Sequence, residues 1–409
     1  MLPPEKSTLG RRQDGNIKNW IPKTFSKIEL IPQVARYKNV PMFADAYREK
    51  TVWLSGHTGF KGTWLARWLV MLGARVHGFA LPPATNPAIF DQIRLSRHVC
   101  HEVGDVRDPD AVKRSIVRAK PDFVFHLAAQ PLVRYSYDHP LETYLTNVMG
   151  TAHVLEALRS LNKPCAAVLI TTDKCYDNHG NALAYAEDDP LGGHDPYSSS
   201  KAAAEIVISA YRRSFFGKLP VRIASARAGN VVGGGDWAAD RITPDCIRAL
   251  QQGKAIPVRN PPATRPWQHV LEPLSGYLWL GAALAKPKLV SAGIKDVAGP
   301  FNFGPEKEAN RPVHELAAEV LKHWPGRWQD KSDPRAVHEA TLLMLSTAKA
   351  QRVLHWQPTW RFETAIARTV NWYRTVHEKG ETIAEDLTCA QIEEYERDAR
   401  SAKAKWATS

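Results

Sequence analysis

No run of apolar residues in the 409-residue chain reaches the length of about eighteen that a membrane-spanning helix needs. The longest candidate, Trp64 to Gly73, is broken by Arg67. The first residues, with Pro3, Pro4, Glu5 and Lys6 close behind Met1, have no apolar core of a secretory signal, so the expectation is a cytoplasmic protein that meets no membrane. Cysteine is scarce and unpaired. Cys100, Cys165, Cys175, Cys246 and Cys389 form an odd set with no C-x-x-C spacing and no histidine cluster beside them. A disulfide framework and a structural zinc site are therefore not expected, nor any other metal. Charge of one sign is not concentrated either: 54 Lys and Arg against 42 Asp and Glu leave a formal +12, but the basic residues are scattered and no aromatic-interleaved basic motif occurs. Nucleic acid is not the expected partner, and an anionic small molecule explains the sign as well.

What remains is ordinary globular composition, 44% hydrophobic and 23% charged, enough to bury a sizeable core. Residues 1–41 stand apart. They hold eight Lys or Arg against three Asp or Glu and show no sustained period, and they read as a basic, disordered extension dispensable for catalysis. From Thr51 the texture alternates. Short β-rich runs at Thr51–Ser55, Ala74–Leu81, His98–Val106, Asp122–Leu127, Ala166–Thr172 and Val221–Ala226 are separated by helical patterns at Phe60–Leu72, Pro109–Ala119 (after Asp108 as N-cap), Asn147–Ser160 and Tyr197–Phe216. This alternation predicts an α/β fold, a Rossmann-type doubly wound parallel sheet over residues 42–228. After Gly229 the chain turns to Gly- and Pro-rich segments, VVGGGDW and RNPPATRPW, with helices near Pro244–Gln252, Leu271–Ala285, Phe362–Gly380 and Thr388–Ala402. Residues 229–409 are read mainly as a smaller mixed substrate domain, with some segments returning to the sheet.

Gly56-His57-Thr58-Gly59-Phe60-Lys61-Gly62 follows the first strand and opens the first helix. In that frame the first glycine permits the tight turn, the second lets backbone approach a pyrophosphate and the third lets helix pack on strand, so the segment is read as a dinucleotide site. The acidic residue that usually meets the adenosine ribose at the end of the second strand is replaced by Phe79-Ala80-Leu81-Pro82. The rule thus leaves NAD against NADP open, and the lack of a following arginine leans toward NAD. Asp105 and Val106 after the third strand, and Leu127, Ala128 and Ala129 after the fourth, are further cofactor candidates, although either group alone reads more readily as an ordinary strand end.

Tyr197 and Lys201 lie four apart and share a helix face. A buried lysine charge and a nicotinamide charge are expected to lower the phenol pKa, making Tyr197 a base near neutrality.

Together the glycine turn, His126-Leu127-Ala128-Ala129 and Tyr197-Ser198-Ser199-Ser200-Lys201 resemble the extended short-chain dehydrogenase/reductase family of NAD-dependent epimerases and dehydratases that act on nucleotide sugars. The likeness runs from about Met42 to Thr408. The longer blocks HLAAQPLVRYSY, TTDKCYDN, EDDPLGGHDPYSSSK, RAGNVVGGGDW and RNPPATRPWQHVLEPLSGYL narrow it to the 4,6-dehydratases, in the branch that takes CDP-glucose. The resemblance implies NAD as cofactor, a homo-oligomer (dimer or tetramer), a hydro-lyase reaction and a place in deoxysugar biosynthesis. It also implies that Thr172, Asp173 and Lys174 form an active-site triplet at the end of the fifth strand. Thr172 holds the 4-hydroxyl while Tyr197 takes its proton, Asp173 protonates the departing 6-hydroxyl, and the C5 proton is removed after C4 is oxidised. Lys174 stands where related dehydratases carry Glu, and either of two roles, a base with depressed pKa or a charge that stabilises the enolate, is open to it. Asn230 and Arg265 resemble residues that grip the substrate pyrophosphate. Gln130, Arg134, Asp236, Trp237 and Gln268 are weaker substrate candidates, and Trp237 and Trp267 read more readily as packing residues. A 4-epimerase shares the cofactor turn and the Tyr-Lys pair but needs no acid and base for water loss. A non-catalytic NAD-binding regulator needs none of the triplet.

Overall fold

In the computed structural model, which describes residues 41–178, 180, 184–290, 297–332 and 343–409, the β-rich runs become the strands of one sheet. They are β1 (Thr51–Ser55), β2 (Arg75–Ala80), β3 (Cys100–Val103), β4 (Phe123–His126), β5 (Cys165–Ile170) and β6 (Val221–Ala228), with Pro300–Phe303 added as β7. The order is β7-β6-β5-β4-β1-β2-β3 and every pairing is parallel. The order reverses between β1 and β4, which is where a doubly wound sheet leaves a crevice at its carboxyl ends.

Side chains alternate across this sheet as the pleat requires. Val52 and Leu54 of β1, with Ala166, Val168 and Ile170 of β5, face one core, shared with helices α1 (Phe60–Met71), α6 (Leu271–Ala285), α8 (Phe362–Lys379) and α9 (Ala384–Ser401). Trp53 of β1 and Cys165, Ala167 and Leu169 of β5 face the other, shared with α2 (Pro109–Ala119), α3 (Gly150–Arg159) and α4 (Pro196–Ser214). As expected from the sequence, Asp108 caps α2, its carboxylate accepting from the N–H groups of Asp110 and Ala111. Helix α6, apolar all round, is buried against β5 and β6. A third cluster joins Val232, Cys246, Ile256 and Val258 to Leu316, Val320, Phe362 and Ile366, using α5 (Ile242–Gln251) and α7 (Val313–His323).

Several expectations change. The strand at 98–106 shrinks to four residues because Leu95–Arg97 closes a helical turn before it. The helix expected from Asn147 begins earlier: Pro140–Tyr144 runs through a wide turn at Leu145–Met149 into α3 without a break. Glycines of VVGGGDW lie against aromatic rings. Trp64 donates to Gly234 O at 2.9 Å, and a Cβ on Gly234 would lie 2.1 Å from the Trp372 ring, so they admit aromatic packing. Strand β7 and helix α7 were not foreseen. Of the extension at 1–41, residues 1–40 lie outside the described residues.

The two ends of the described chain meet on α1. Phe43 stacks on Trp406 at 4.9 Å, Trp406 stacks on Tyr395 at 5.7 Å, and Ala44 N–H donates to Ser409 O at 3.1 Å. Replacing Trp406, which is fully buried, with Ala should lower stability by roughly 3–5 kcal/mol. Chemical denaturation of the two proteins measures it; a loss below about 1 kcal/mol would mean that the C-terminal helix is an ornament to the core.

Candidate active site

The crevice is built first from glycine. Gly56 adopts φ +75°, and a Cβ there would stand 2.7 Å from Ala128 N; a Cβ on Gly62 would stand 2.0 Å from Gly56 O. Both approaches are open to glycine alone, and they pull β1, α1 and the end of β4 together. Gly59 differs: within 4 Å a Cβ would meet only Gly56 O, at 3.4 Å, so the turn is open on that side. A cradle of backbone N–H groups at the start of α1, clear of side chains, fits a dinucleotide pyrophosphate. Thr58 Oγ1 closes the turn by donating to Leu81 O at 2.8 Å.

The HLAA block is fixed by its histidine. Ser55 Oγ accepts from both Leu127 N and Ala128 N at 3.1 Å, so its own proton goes to His126 Nδ1 at 2.7 Å. His126 Nε2 therefore donates to Thr151 Oγ1 at 3.2 Å, and burial drives this imidazole down to about 3, keeping it neutral. Asp105 accepts hydrogen bonds from the backbone N–H and Nε of Arg107 and pairs with its Nη2 at 2.6 Å. Burial alone would raise its carboxyl, but those bonds hold it below the usual range. Val106 is buried with its side chain against Gly150, and its carbonyl meets His153 Nδ1 at 2.9 Å.

The local sequence His194-Asp195-Pro196 starts α4. Asp195 accepts from Ser198 N at 2.9 Å, and Pro196 occupies the first turn, where a missing N–H costs nothing. Tyr197 is thereby set in the first turn with Lys201 one turn on, both buried. Lys201 Nζ donates to Ile170 O at 3.3 Å. The expectation of a lowered phenol does not hold in the protein by itself. Burial pushes Tyr197 up to about 12 against a hydrogen bond with Thr172, while burial also brings Lys201 down to about 8.

At the end of β5, Thr172 Oγ1 donates to Asp173 Oδ1 at 3.0 Å. Asp173 is 2% exposed, and its Oδ2 has no hydrogen-bond partner among the described residues. An exposed Asp173–Lys174 ion pair is thereby excluded. Gly229 makes the room: a Cβ there would lie 2.7 Å from Asp173 Oδ2. Lys174 is half-buried. Lys61 lies in the field of Asp173, Asp236, Arg241 and Lys201, and burial, then Arg241, bring it down to about 8.

The substrate candidates divide. Gln130 is consumed internally: its Nε2 donates to Thr143 Oγ1, its Oε1 accepts from Leu132 N, and its backbone N–H binds Asn147. Trp237 packs on Tyr373 and donates to Gln92, as a packing residue does. Asp236 pairs with Arg241 at 2.9 Å, and Arg134 reaches Asp240 at 3.7 Å. Arg265 is buried next to Pro266, and Gln268 buries an unpartnered Oε1 while its Nε2 donates to Phe303 O. A cavity of about 450 Å³ opens beside Gly229 and Pro266, lined also by Gly304, Glu306, Asn310 and Leu345. Asn230 is half-buried next to Gly229. Three residues missed in the sequence join the site. Asn147 Nδ2 donates to Ser200 Oγ and to Gln130 O, linking the Tyr-Lys helix to the HLAA segment. Arg241 acts through space on Tyr197. Glu205, one turn beyond Lys201, was legible as the next residue on the same helix face.

The sheet order, the glycine cradle and the Thr-Asp/Tyr-Lys arrangement define a dinucleotide-dependent enzyme of the extended dehydratase and epimerase fold. The chain belongs to the family described as GDP-mannose 4,6 dehydratase, whose sequence model matches residues 54–369. Within that range of relatives it is 44% identical over 335 residues to the CDP-glucose 4,6-dehydratase of Salmonella typhimurium, covering 80% of this chain and 91% of that one. It is 27% identical to the dTDP-glucose 4,6-dehydratase of Neisseria gonorrhoeae, covering 80% and 96%. Among solved structures, the dTDP-glucose 4,6-dehydratase of Streptomyces venezuelae with NAD bound superposes with a TM-score of 0.66 at 24% identity, covering 79% of this chain and 97% of that one. A UDP-glucose 4-epimerase of Thermotoga maritima gives 0.67 at 18%, covering 80% and 99%, so the fold alone does not separate the two reactions.

The glycine geometry separates two substitutions. Gly62→Ala should break the turn and lower both melting temperature and NADH binding. Gly59→Val should leave the melting temperature close to wild type while weakening NADH binding on the order of tenfold, about 1.4 kcal/mol. Titration of NADH fluorescence beside a thermal melt reads both, and equal melting losses for the two variants would contradict the cradle.

Proposed function

We propose that this protein is an NAD-dependent hydro-lyase that converts CDP-glucose to CDP-4-keto-6-deoxyglucose. The observation that carries the reading is the buried triplet: Thr172 and Tyr197 share a hydroxyl contact, and beside them Asp173 keeps one oxygen without a partner. A 4-epimerase has no use for that second acid. In this reading residues 42–228 form the NAD-binding part, with Gly56, Thr58, Gly59, Phe60, Lys61 and Gly62 as its cradle, and residues 229–409 form mainly the substrate part. Held by the cradle, NAD would supply a reversible hydride acceptor, for the hydride that leaves C4 and the one that returns to C6, so that no net oxidation results.

Thr172 and Tyr197 hold the sugar 4-hydroxyl, and Tyr197 receives its proton. The phenol must come down from about 12 for this; the Lys201 cation and the positive ring of a bound nicotinamide would supply the charge. Asp173 Oδ2, which receives no hydrogen bond, is the oxygen that hands a proton to the leaving 6-hydroxyl. Lys174 faces the C5 side, as base or as the cation that steadies the enolate. Asn230 and Arg265 take the diphosphate, beside the cavity at Gly229 and Pro266. The enzyme works in the cytoplasm, on nucleotide sugars that supply deoxysugars of the kind built into lipopolysaccharide O-antigen.

Incubation with CDP-glucose, followed by alkaline absorbance of the 4-keto sugar, tests the reaction. No 4-keto product, or interconversion at C4 alone, would overturn it. Tyr197→Phe should cost about 10²–10⁴-fold in turnover with NADH binding retained. Asp173→Asn should allow oxidation at C4 and stall water loss, so that reduced cofactor persists in a single turnover.

The same chain is proposed to pair with a second copy. Leu141, Leu145 and Met149, spaced one turn apart, are 78%, 51% and 44% exposed, and Ile206 on the adjoining α4 is 58% exposed. One apolar face spread over two packed helices is unusual on a free surface and suits a two-fold partner. Leu141→Glu combined with Ile206→Arg should convert the sedimenting species to monomer; an unchanged sedimentation coefficient would refute this face.

A further inference from the structure

We infer that Glu205 is a positioning residue of the active site, the buried anion that keeps Lys201 a cation and anchors the strand end carrying Thr172 and Asp173; the inference rests on the dehydratase reading above. Glu205 lies on α4 one turn beyond Lys201 and two beyond Tyr197, on the same face. Its carboxylate accepts from Thr171 Oγ1 at 2.5 Å, Ser225 Oγ at 2.8 Å and Arg227 Nη2 at 2.9 Å, with both charged side chains 3% exposed. Thr171 is the residue immediately before the triplet. Its bond to Glu205 therefore fixes where β5 releases Thr172 and Asp173.

The pair does not end at Arg227. The guanidinium donates to Tyr176 OH at 2.8 Å and to Glu187 O at 3.0 Å, and Tyr176 OH donates to Asn302 Oδ1 at 2.8 Å. Asn302 in turn donates its backbone N–H to Glu187 Oε1 at 2.8 Å. One polar chain thus runs under the reacting groups from α4 across β5 and β6 to β7, the strand that leads into the cavity wall at Gly304. A buried ion pair is a poor device for stability alone, because apolar residues of similar volume hold a core as well or better. Beside Lys201 it has a use. The hydrogen bond that Lys201 makes is to a backbone carbonyl, and burial works against its charge.

The groups that bear on Lys201 come from several neighbouring elements: Glu205 on α4, Cys175 in the turn after β5, His126 at the end of β4 and Lys61 on α1. His126 is held neutral, Lys61 is itself a cation and Cys175 is a buried thiol held well above its ordinary value. Among these the Glu205 carboxylate is the anion, and after burial it is the largest influence on Lys201, acting to restore the charge. Arg227 competes for the same carboxylate.

Three variants of the NAD-loaded enzyme test this: Glu205→Gln, Arg227→Gln and Thr171→Val. The readouts are the alkaline limb of kcat/KM with CDP-glucose and, separately, the alkaline limb of NADH binding followed by cofactor fluorescence. Glu205→Gln removes the anion and leaves a guanidinium uncompensated, so both limbs should move down by about one pH unit. Arg227→Gln frees the carboxylate for Lys201, so both should move up. Thr171→Val keeps the charges and should lower kcat with neither limb moved. A purely structural pair would change the melting temperature and leave the limbs in place. Unmoved limbs in Glu205→Gln, or shifts of one sign in both charge variants, overturn the inference. Should Glu205→Gln fail to fold, the upward shift in Arg227→Gln decides alone. Wild-type turnover is recorded first. Its absence would sink the dehydratase reading, and the NADH-binding limbs would still judge Glu205.

Discussion

The pairing of β1 with both β2 and β4 is the contact on which the rest of the structure depends. Val52 sits opposite Val76 on one side and Phe123 on the other, so the chain must cross from one edge of β1 to its opposite edge after β3. That crossing opens the crevice, and the crevice can close around a ligand only if backbone meets backbone across it. Gly56, Gly62 and Ala128 meet that demand at separations that leave no space for a side chain. Ser55 and His126, at the ends of the same two strands, tie them with a hydrogen bond that also selects the imidazole tautomer. The cofactor cradle and the HLAA turn are thus two consequences of one strand pairing.

The neighbouring edge, β4 to β5 to β6, gathers the buried ionisable groups, and its governing problem is charge without water. Tyr197, Lys201, Asp173, Glu205 and Arg227 are all buried within a few residues of the strand ends. Isolated charges in such a place are costly unless paired or neutralised. The structure solves this unevenly. Glu205 and Arg227 neutralise each other, His126 stays uncharged, Tyr197 stays a phenol, and Asp173 retains an oxygen with no donor. The oxygen that Asp173 leaves without a donor is a position that a ligand hydroxyl would satisfy, which is how a group is kept ready for a ligand and not merely stable.

Much of this was legible in the sequence because it is local. Strand-turn-helix spacing, the N-cap at Asp108, the Asp195-Pro196 start of α4 and the four-residue step from Tyr197 to Lys201 all follow from periods of two and 3.6 and from the conformational limits of Gly, Pro and Asp. Other features were not legible because they depend on partners distant in the chain. Nothing near Gln130 announces that Asn147, Thr143 and Leu132 use up its polar atoms. Nothing in the run VVGGGDW announces that the rings of Trp64 and Trp372 make it a packing surface. Pro300–Phe303 is too short and too late to be placed as the seventh strand without β6 beside it.

The sequence by itself determined the fold class and the glycine turn, and it sets Thr172, Asp173 and Lys174 in one run and Tyr197 and Lys201 on one helix face, since each is local and its geometry is set by backbone sterics and helix or strand period. Tertiary structure alone decided protonation and pairing. Whether Tyr197 is a phenol or a base, whether Asp173 is paired, and which anion faces Lys201 depend on burial and on charges contributed by β5, β6 and α1. Desolvation and Coulomb energy act through space, and the distances they act over exist only once the sheet has brought those strand ends together.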